Sequence, residues 1–343
     1  MNRVAVGFSG GIDSVTAVGM LCSQGFDVTA VYIDMTGDTE AAGRARLAAV
    51  RLGVRFDTVN AQQTFEKNVI SRFVDGYASG RTPNPCVDCN RLVKIELLYD
   101  YARANGIDRI ATGHYAAAVR ASNGRFTVRR ALDTAKDQSY MLWRLTQEQL
   151  SVLLTPLSNT EKSALDLPEG YRESQDVCFI PDGNTAAFVT ARRADAGRPG
   201  PIVDESGHRL GTHRGICTCT VGQRRGLGVA AGGRIYVTDI DAGSNTVTVG
   251  PDAKTKRFEV SEINLMACTE PDGDFEVCTR YRAVPVRCRV NRMSSSTLEV
   301  ITEIPCIAAP GQSAVFYRGN ELCMGGFIQP GQKSNNTDER NCG

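Results

Sequence analysis

The sequence predicts an α/β protein built on a doubly wound parallel sheet and followed by an all-β region of barrel type. Two observations carry this. From the start to about residue 115, short apolar runs alternate with helix-like stretches, and that order gives a parallel sheet with helices on both faces. From about Asn184 the texture changes: Gly197, Pro199, Gly200 and Pro201 cluster, and short strand-like segments follow one another with turn residues between them, as in small barrels. A chain of 343 residues is long enough for two or three such domains.

Taken in order, residues 4–8 and 28–33 read as buried parallel strands, being short and rich in β-branched or aromatic residues. Residues 15–24 between them read as a helix. Residues 39–52 form a helix rich in Ala, Arg and Leu, 55–59 a third strand and 63–77 a helix. Residues 91–105 form another helix ended by Gly106, and 109–112 a strand stopped by Gly113. In the second half, 235–240 and 246–249 flank the turn Asp241-Ala-Gly-Ser-Asn245 as a hairpin. Further strands fall at 284–290, 297–301, 313–317 and 323–328, before a polar tail expected to fray. The domain division read from this is 1–183, 184–252, 253–332 and a tail at 333–343.

Ligands in doubly wound sheets bind beyond the carboxyl ends of the strands. The first such end carries Ser9-Gly10-Gly11-Ile12-Asp13-Ser14. Adjacent glycines let backbone N–H groups approach a phosphate where a Cβ would clash, and the helix dipole adds to the attraction. The lysine of a Walker A loop is missing. The segment instead resembles the PP-loop, SGGxDS, of ATP pyrophosphatases, the adenine nucleotide alpha hydrolase-like fold. Those enzymes split ATP between its α- and β-phosphates and pass AMP to an acceptor oxygen. The resemblance implies ATP held by Gly7, Phe8, Ser9, Gly10, Gly11, Ile12, Asp13 and Ser14, with Ile33 and Gly113 at the adenosine. Asp13 then helps hold Mg2+, and Ser14 doubles as a helix cap.

Composition restricts the class. With 42% hydrophobic and 22% charged residues the chain has the balance of a globular protein, and a net charge of +1 gives no whole-chain signal for nucleic acid. Arg3 leads straight into a strand with no signal-peptide pattern, and no apolar run is long enough to span a bilayer. A cytoplasmic location is therefore expected. The twelve cysteines are then free, catalytic or metal-bound rather than a disulfide framework. Pro83 and Pro85 stiffen the approach to Cys86 and Cys89, and a helix is expected to begin near Cys89, in a field that favours its thiolate. Cys178 lies where a polar run meets an apolar one.

With these residues in place the chain resembles the tRNA-specific 2-thiouridylase family. The motifs run in order along nearly the whole sequence: FSGGIDS at 8–14, GRTPNPCVDCN at 80–90, ATGHYA at 111–116 and KDQSYML at 136–142. They continue with ESQDVCFI at 173–180, GTHRGICTCTVGQRRGLGV at 211–229, TRYRA at 279–283 and APGQSAVFY at 309–317. The family's fold implies a small central domain between the PP-loop domain and the barrel. Its activity replaces the 2-oxygen of the wobble uridine of tRNA by sulfur: the oxygen is adenylated, and a cysteine persulfide then delivers sulfur. In that scheme Cys89 matches the nucleophile and Cys178 the persulfide carrier, and a disulfide between them forms on turnover. The resemblance also implies a sulfur donor, either a cysteine desulfurase or a sulfur-relay protein. A monomer is the default.

The same resemblance places tRNA against particular residues. Asn84, Pro85 and Cys86 match the stretch beside the target base. His114, Lys136, Asp137, Gln138 and Gln312 match tRNA contacts. Arg280 and Tyr281 open a run with Arg282, Arg287, Arg289 and Arg292 that holds no acid. On a strand, 280 and 282 would share a face, as would 287 and 289, with Cys288 and Val290 pointing inward. Cys217 and Cys219 are expected on one strand face, as core.

The chain departs from the family pattern at Cys86, where aspartate is commonest. Cys86, Cys89 and Cys178 would suit a [4Fe-4S] cluster with one open iron to carry the sulfur, and zinc is a weaker alternative. The persulfide route is set ahead because the family's cysteine pair is present. The segment Ile33-Asp34-Met35-Thr36-Gly37-Asp38 also replaces the family's Met-Lys-Asn-Trp-like stretch, and the segment before Glu173 is short, so a paralogue with altered tRNA choice fits as well. The rivals are an amidating PP-loop ligase, which needs no cysteine pair, and an RNA-binding module with an inactive nucleotide fold.

Overall fold

The computed structural model describes residues 2–162, 177–230 and 232–331. The expectations for residues 173–176 and for the tail lie outside the described residues. The first sheet is five-stranded and wholly parallel, in the order Arg55–Asn60, Asp27–Asp34, Arg3–Gly7, Arg109–Ala111, Leu153–Leu154. Its central strand, Arg3–Gly7, pairs on both sides, and Val4, Ala5 and Val6 are wholly buried. A strand closed in on both faces must read as a continuous apolar run, which is why it was visible in the sequence. The helix Thr39–Arg51 starts where Asp38 accepts from the Ala41 N–H at 2.9 Å, a cap that satisfies one of the four free donors of the first turn.

The middle region carries a four-stranded sheet in the order Tyr236–Asp241, Thr246–Gly250, Gly200–Asp204, Arg209–His213. The hairpin around Asp241 is present. Cys217 and Cys219 are both buried, as expected of core residues, but Ile216–Thr218 is a short 3-10 turn rather than a strand.

The last sheet closes into a six-stranded barrel: Lys254–Leu265 pairs with both Thr297–Ile307 and Glu321–Ile328. Two strands not read from the sequence, Ala116–Arg120 and Phe126–Arg130, extend this sheet through Arg129 against Glu321. The barrel therefore grows directly out of the segment that follows Gly113. Trp143 anchors the junction: it is wholly buried, and its indole N–H donates to Ser313 Oγ at 2.9 Å.

Two expectations need correction. The chain from Arg280 to Arg282 is a turn, with Arg282 at φ 60°, and the strand begins only at Val286. Pro285 cannot donate to a ladder, so it marks that boundary. The alternation of Arg287 and Arg289 outward with Cys288 and Val290 inward is as expected. Second, helix begins at Pro85 rather than near Cys89, and helical structure continues through Asn90–Lys94 to Ala104. Asn84 caps it by accepting from the Cys86 N–H at 3.1 Å, with Pro85 in the first position, where its missing N–H costs nothing.

Candidate active site

The first strand ends at Gly7 and the helix Ile12–Ser23 follows at once. Gly11 is its N-cap and no side chain caps the first turn, so those N–H groups remain available to an anion. Gly10 stands at φ +75°, and a Cβ there would lie 2.8 Å from Ala45 Cα. The loop is thus pressed against the neighbouring helix at a position only glycine fits. Ser14 Oγ donates to the Gly11 carbonyl at 2.8 Å and lies 3.4 Å from Ser9 Oγ, so Ser14 braces the loop rather than capping the helix. On the far side Gly113 presses on the loop, where a Cβ would meet Asp13 C at 2.9 Å.

These strand ends enclose a cavity of about 350 Å³. Of the expected nucleotide residues Gly7, Phe8, Ser9, Asp13, Ser14, Ile33 and Gly113 line it, together with His114 and Gln138. Gly10, Gly11 and Ile12 are not among its lining residues. Asp13 is the one carboxylate among the lining residues. It accepts from Lys162 Nζ at 2.9 Å through both oxygens and from the Tyr115 hydroxyl at 3.0 Å. A single carboxylate fits Mg2+, which takes most of its ligands from phosphates and water; here Lys162 shares that carboxylate. His114 Nδ1 lies 2.9 Å from Thr112 Oγ1. Burial first, and the Lys94 ammonium second, hold its pKa down to about 3, so the ring is neutral near pH 7.

The thiols stand beside this cavity. Cys89 is buried, with Sγ 3.7 Å from Met35 Sδ. Met35 and Thr36 line the nucleotide cavity on one side and, on the other, a groove of about 730 Å³ that also contains the exposed Cys178. Burial pushes the Cys89 thiol up to about 11; Lys94 opposes this, while Cys178, Cys86 and Asp88 add to it. The expected thiolate-favouring field is therefore overturned: Cys89 sits five residues inside the helix start, away from the free N–H groups, and desolvation dominates. All three thiols also act on Lys94, whose pKa is raised mainly by Cys89, against burial. Among the described residues no three or more His, Cys, Asp or Glu side chains gather closely enough to hold a metal ion. Cys86, Cys89 and Cys178 are accordingly not assembled as cluster ligands here, and we derive no step through iron.

Residues 2–182 match the family model described as the tRNA methyl transferase HUP domain. Residues 186–251 match its PRC-barrel domain, and 255–328 the aminomethyltransferase beta-barrel domain. A curated protein from Chloroflexus aurantiacus, named tRNA-specific 2-thiouridylase MnmA, is 40% identical over 96% of this chain and 98% of its own length. The protein of that name from Chloroflexus aggregans is 41% identical over the same shares. The one from Clostridium perfringens is 36% identical over 95% of this chain and 98% of its own. The chain belongs to the tRNA-specific 2-thiouridylase family.

In this thiouridylase-family chain the remaining expected residues do not all fall together. Lys136, Asp137, Arg280 and Tyr281 come together around a cavity of about 550 Å³, joined by Arg130. Asp137 is also occupied structurally: it accepts from the Ala131 N–H at 2.9 Å and from the Ser139 hydroxyl at 2.7 Å. Gln138 accepts from the Tyr115 N–H at 3.0 Å. Gln312 is not with that group; its amide donates to the Thr82 carbonyl at 2.7 Å and ties the barrel to the cysteine loop. Asp88, between the two cysteines, is clamped by Arg144 and by Arg72, and both arginines reach Glu262 on the barrel. Sequence reading missed Lys94 and Lys162, whose proximity to the site is made only by the fold, and named Met35 only as part of the segment 33–38.

Proposed function

We propose that this chain is an ATP-dependent tRNA-uridine 2-sulfurtransferase that thiolates the wobble uridine. The supporting observation is that Met35 separates a PP-loop nucleotide cavity from Cys89 and borders the groove that holds Cys178. ATP occupies the cavity, where Asp13 would help hold Mg2+, which would supply charge to offset that of the phosphates. The uridine 2-oxygen attacks the α-phosphate and pyrophosphate leaves. A persulfide on Cys178, charged by a sulfur donor, attacks C2 with its terminal sulfur, and AMP departs with the oxygen. The Cys89 sulfur, having lost its proton, then attacks Cys178 Sγ. The sulfur–sulfur bond breaks, sulfur stays on C2, and a Cys89–Cys178 disulfide remains to be reduced.

The raised Cys89 pKa suits that order, because a protonated thiol does not consume the persulfide before uridine arrives. The target base has to leave the anticodon stack to reach the thiols, which a single-stranded loop permits. Lys136, Arg280 and Tyr281 then receive the anticodon arm, with Asn84, Pro85 and Cys86 next to the base. No helix among the described residues is long and apolar enough to cross a membrane; we place the enzyme in the cytoplasm as a monomer.

The test is thiolation of tRNA with ATP and a sulfur source, followed by pyrophosphate release and nucleoside mass spectrometry. Cys178→Ser should abolish 2-thiouridine while keeping tRNA-dependent pyrophosphate release. Normal thiolation by that variant would reject the carrier role. Iron that is retained on anaerobic purification and required for turnover would replace the persulfide route by a cluster.

A further inference from the structure

The phosphate loop carries no lysine of its own, and Asp13 beside it is already neutralised by Lys162. Among the described residues that line the cavity, a triphosphate therefore faces one basic side chain that bears a charge. Of the two basic residues on the lining, Lys94 and His114, His114 is neutral. Among the described residues no carboxylate pairs with Lys94, although it is half-buried. A cation withdrawn from water without an acid partner calls for an anionic ligand.

The backbone explains how Lys94 reaches this place. Asn90–Lys94 is a π-helical turn, closed by the Ile95 N–H donating to the Asn90 carbonyl. Residues five apart stand about 140° from one another around an α-helix. The wider i→i+5 turn brings the fifth residue back over the first. Lys94 is thereby turned toward Cys89 while its side chain still lines the nucleotide cavity. It lies between the phosphate loop and the thiols, where the α-phosphate must sit if the oxygen it activates is to be displaced by sulfur.

We propose that Lys94 binds the α-phosphate of the nucleotide, in ATP and in the AMP that leaves. This rests on the nucleotide reading given above. It makes Lys94 the cation that the loop lacks, supplied from the helix that also carries Cys89.

The experiment measures equilibrium binding of adenosine, AMP and ATP to the full chain and to Lys94→Gln and Lys94→Arg. Loss of one charge-assisted hydrogen bond weakens binding by roughly tenfold to a hundredfold. Lys94→Gln should lose that much for AMP and for ATP and keep adenosine within about twofold, a control that reports an intact fold. Lys94→Arg, which keeps the charge, should recover most of the loss. Equal weakening of all three ligands in Lys94→Gln, or a loss for ATP alone, would overturn the assignment. An unaltered AMP affinity would overturn it as well. A wild-type protein that binds none of the three refutes the nucleotide reading itself, and Lys94's role with it.

Discussion

Alkylation of the native protein across pH gives a sharp prediction for Cys89. A thiol with its pKa at about 11 is about 0.1% thiolate at pH 8, whereas a free cysteine near 8.5 is about a quarter ionised. Only the thiolate reacts with iodoacetamide, so ionisation alone slows Cys89 by more than a hundredfold, and its 5% exposure slows it further. Cys178 is exposed and supplies an internal reference in the same molecule. Timed alkylation from pH 7 to 10.5, read by peptide mass spectrometry, should show Cys178 consumed early. Cys89 should be nearly untouched at pH 8, with a rate still rising at pH 10. Labelling of Cys89 at the rate of Cys178 at pH 8, with a midpoint near 8, would refute the argument that desolvation outweighs Lys94.

Gly10→Ala combines an unfavourable positive φ with a 2.8 Å backbone contact, so it should cost about 2–5 kcal/mol and abolish ATP binding. Gly19→Ala, with open space at its Cβ, should leave denaturant stability unchanged or improved. Gln312→Ala removes the bond to the Thr82 carbonyl and should lower stability of the RNA-free protein by about 1 kcal/mol; unchanged stability would leave Gln312 as a tRNA contact only. Asp88→Ala leaves Arg144 and Arg72 only Glu262 as an acid partner and should destabilise by roughly 1–3 kcal/mol in urea unfolding. His114 is neutral in the fold, and its pKa lies below the unfolded value of about 6.5. Its contribution is therefore complete above pH 6.5 and lost as pH falls toward 3. Stability should drop by about 1 kcal/mol per pH unit below 6.5, and His114→Asn should flatten that slope.

The parallel sheet was legible because its central strands are buried on both faces and read as continuous apolar runs. The phosphate loop was legible because Gly10 satisfies a local backbone need. Asn84-Pro85 was misread as a stiff approach: a capping side chain followed by proline at the first helical position is itself a helix start, and moving the start to Pro85 takes Cys89 away from the free N–H groups, so that burial decides its pKa. The strands Ala116–Arg120 and Phe126–Arg130 escaped notice because three successive alanines carry little strand signal. Their partner, Glu321–Ile328, lies some two hundred residues away. Lys94 was invisible for a related reason. A spacing of five from Cys89 means nothing in an α-helix, and only the π turn makes the two neighbours.

Sulfur transfer by this route requires the sulfurs of Cys89 and Cys178 to meet across Met35 during turnover. Both cysteines are free in this structure. The direct measurement is non-reducing peptide mapping of the protein after a single turnover with ATP, tRNA and a sulfur source. One Cys89–Cys178 disulfide should appear per 2-thiouridine formed. Stoichiometric 2-thiouridine with both cysteines still reduced would contradict it.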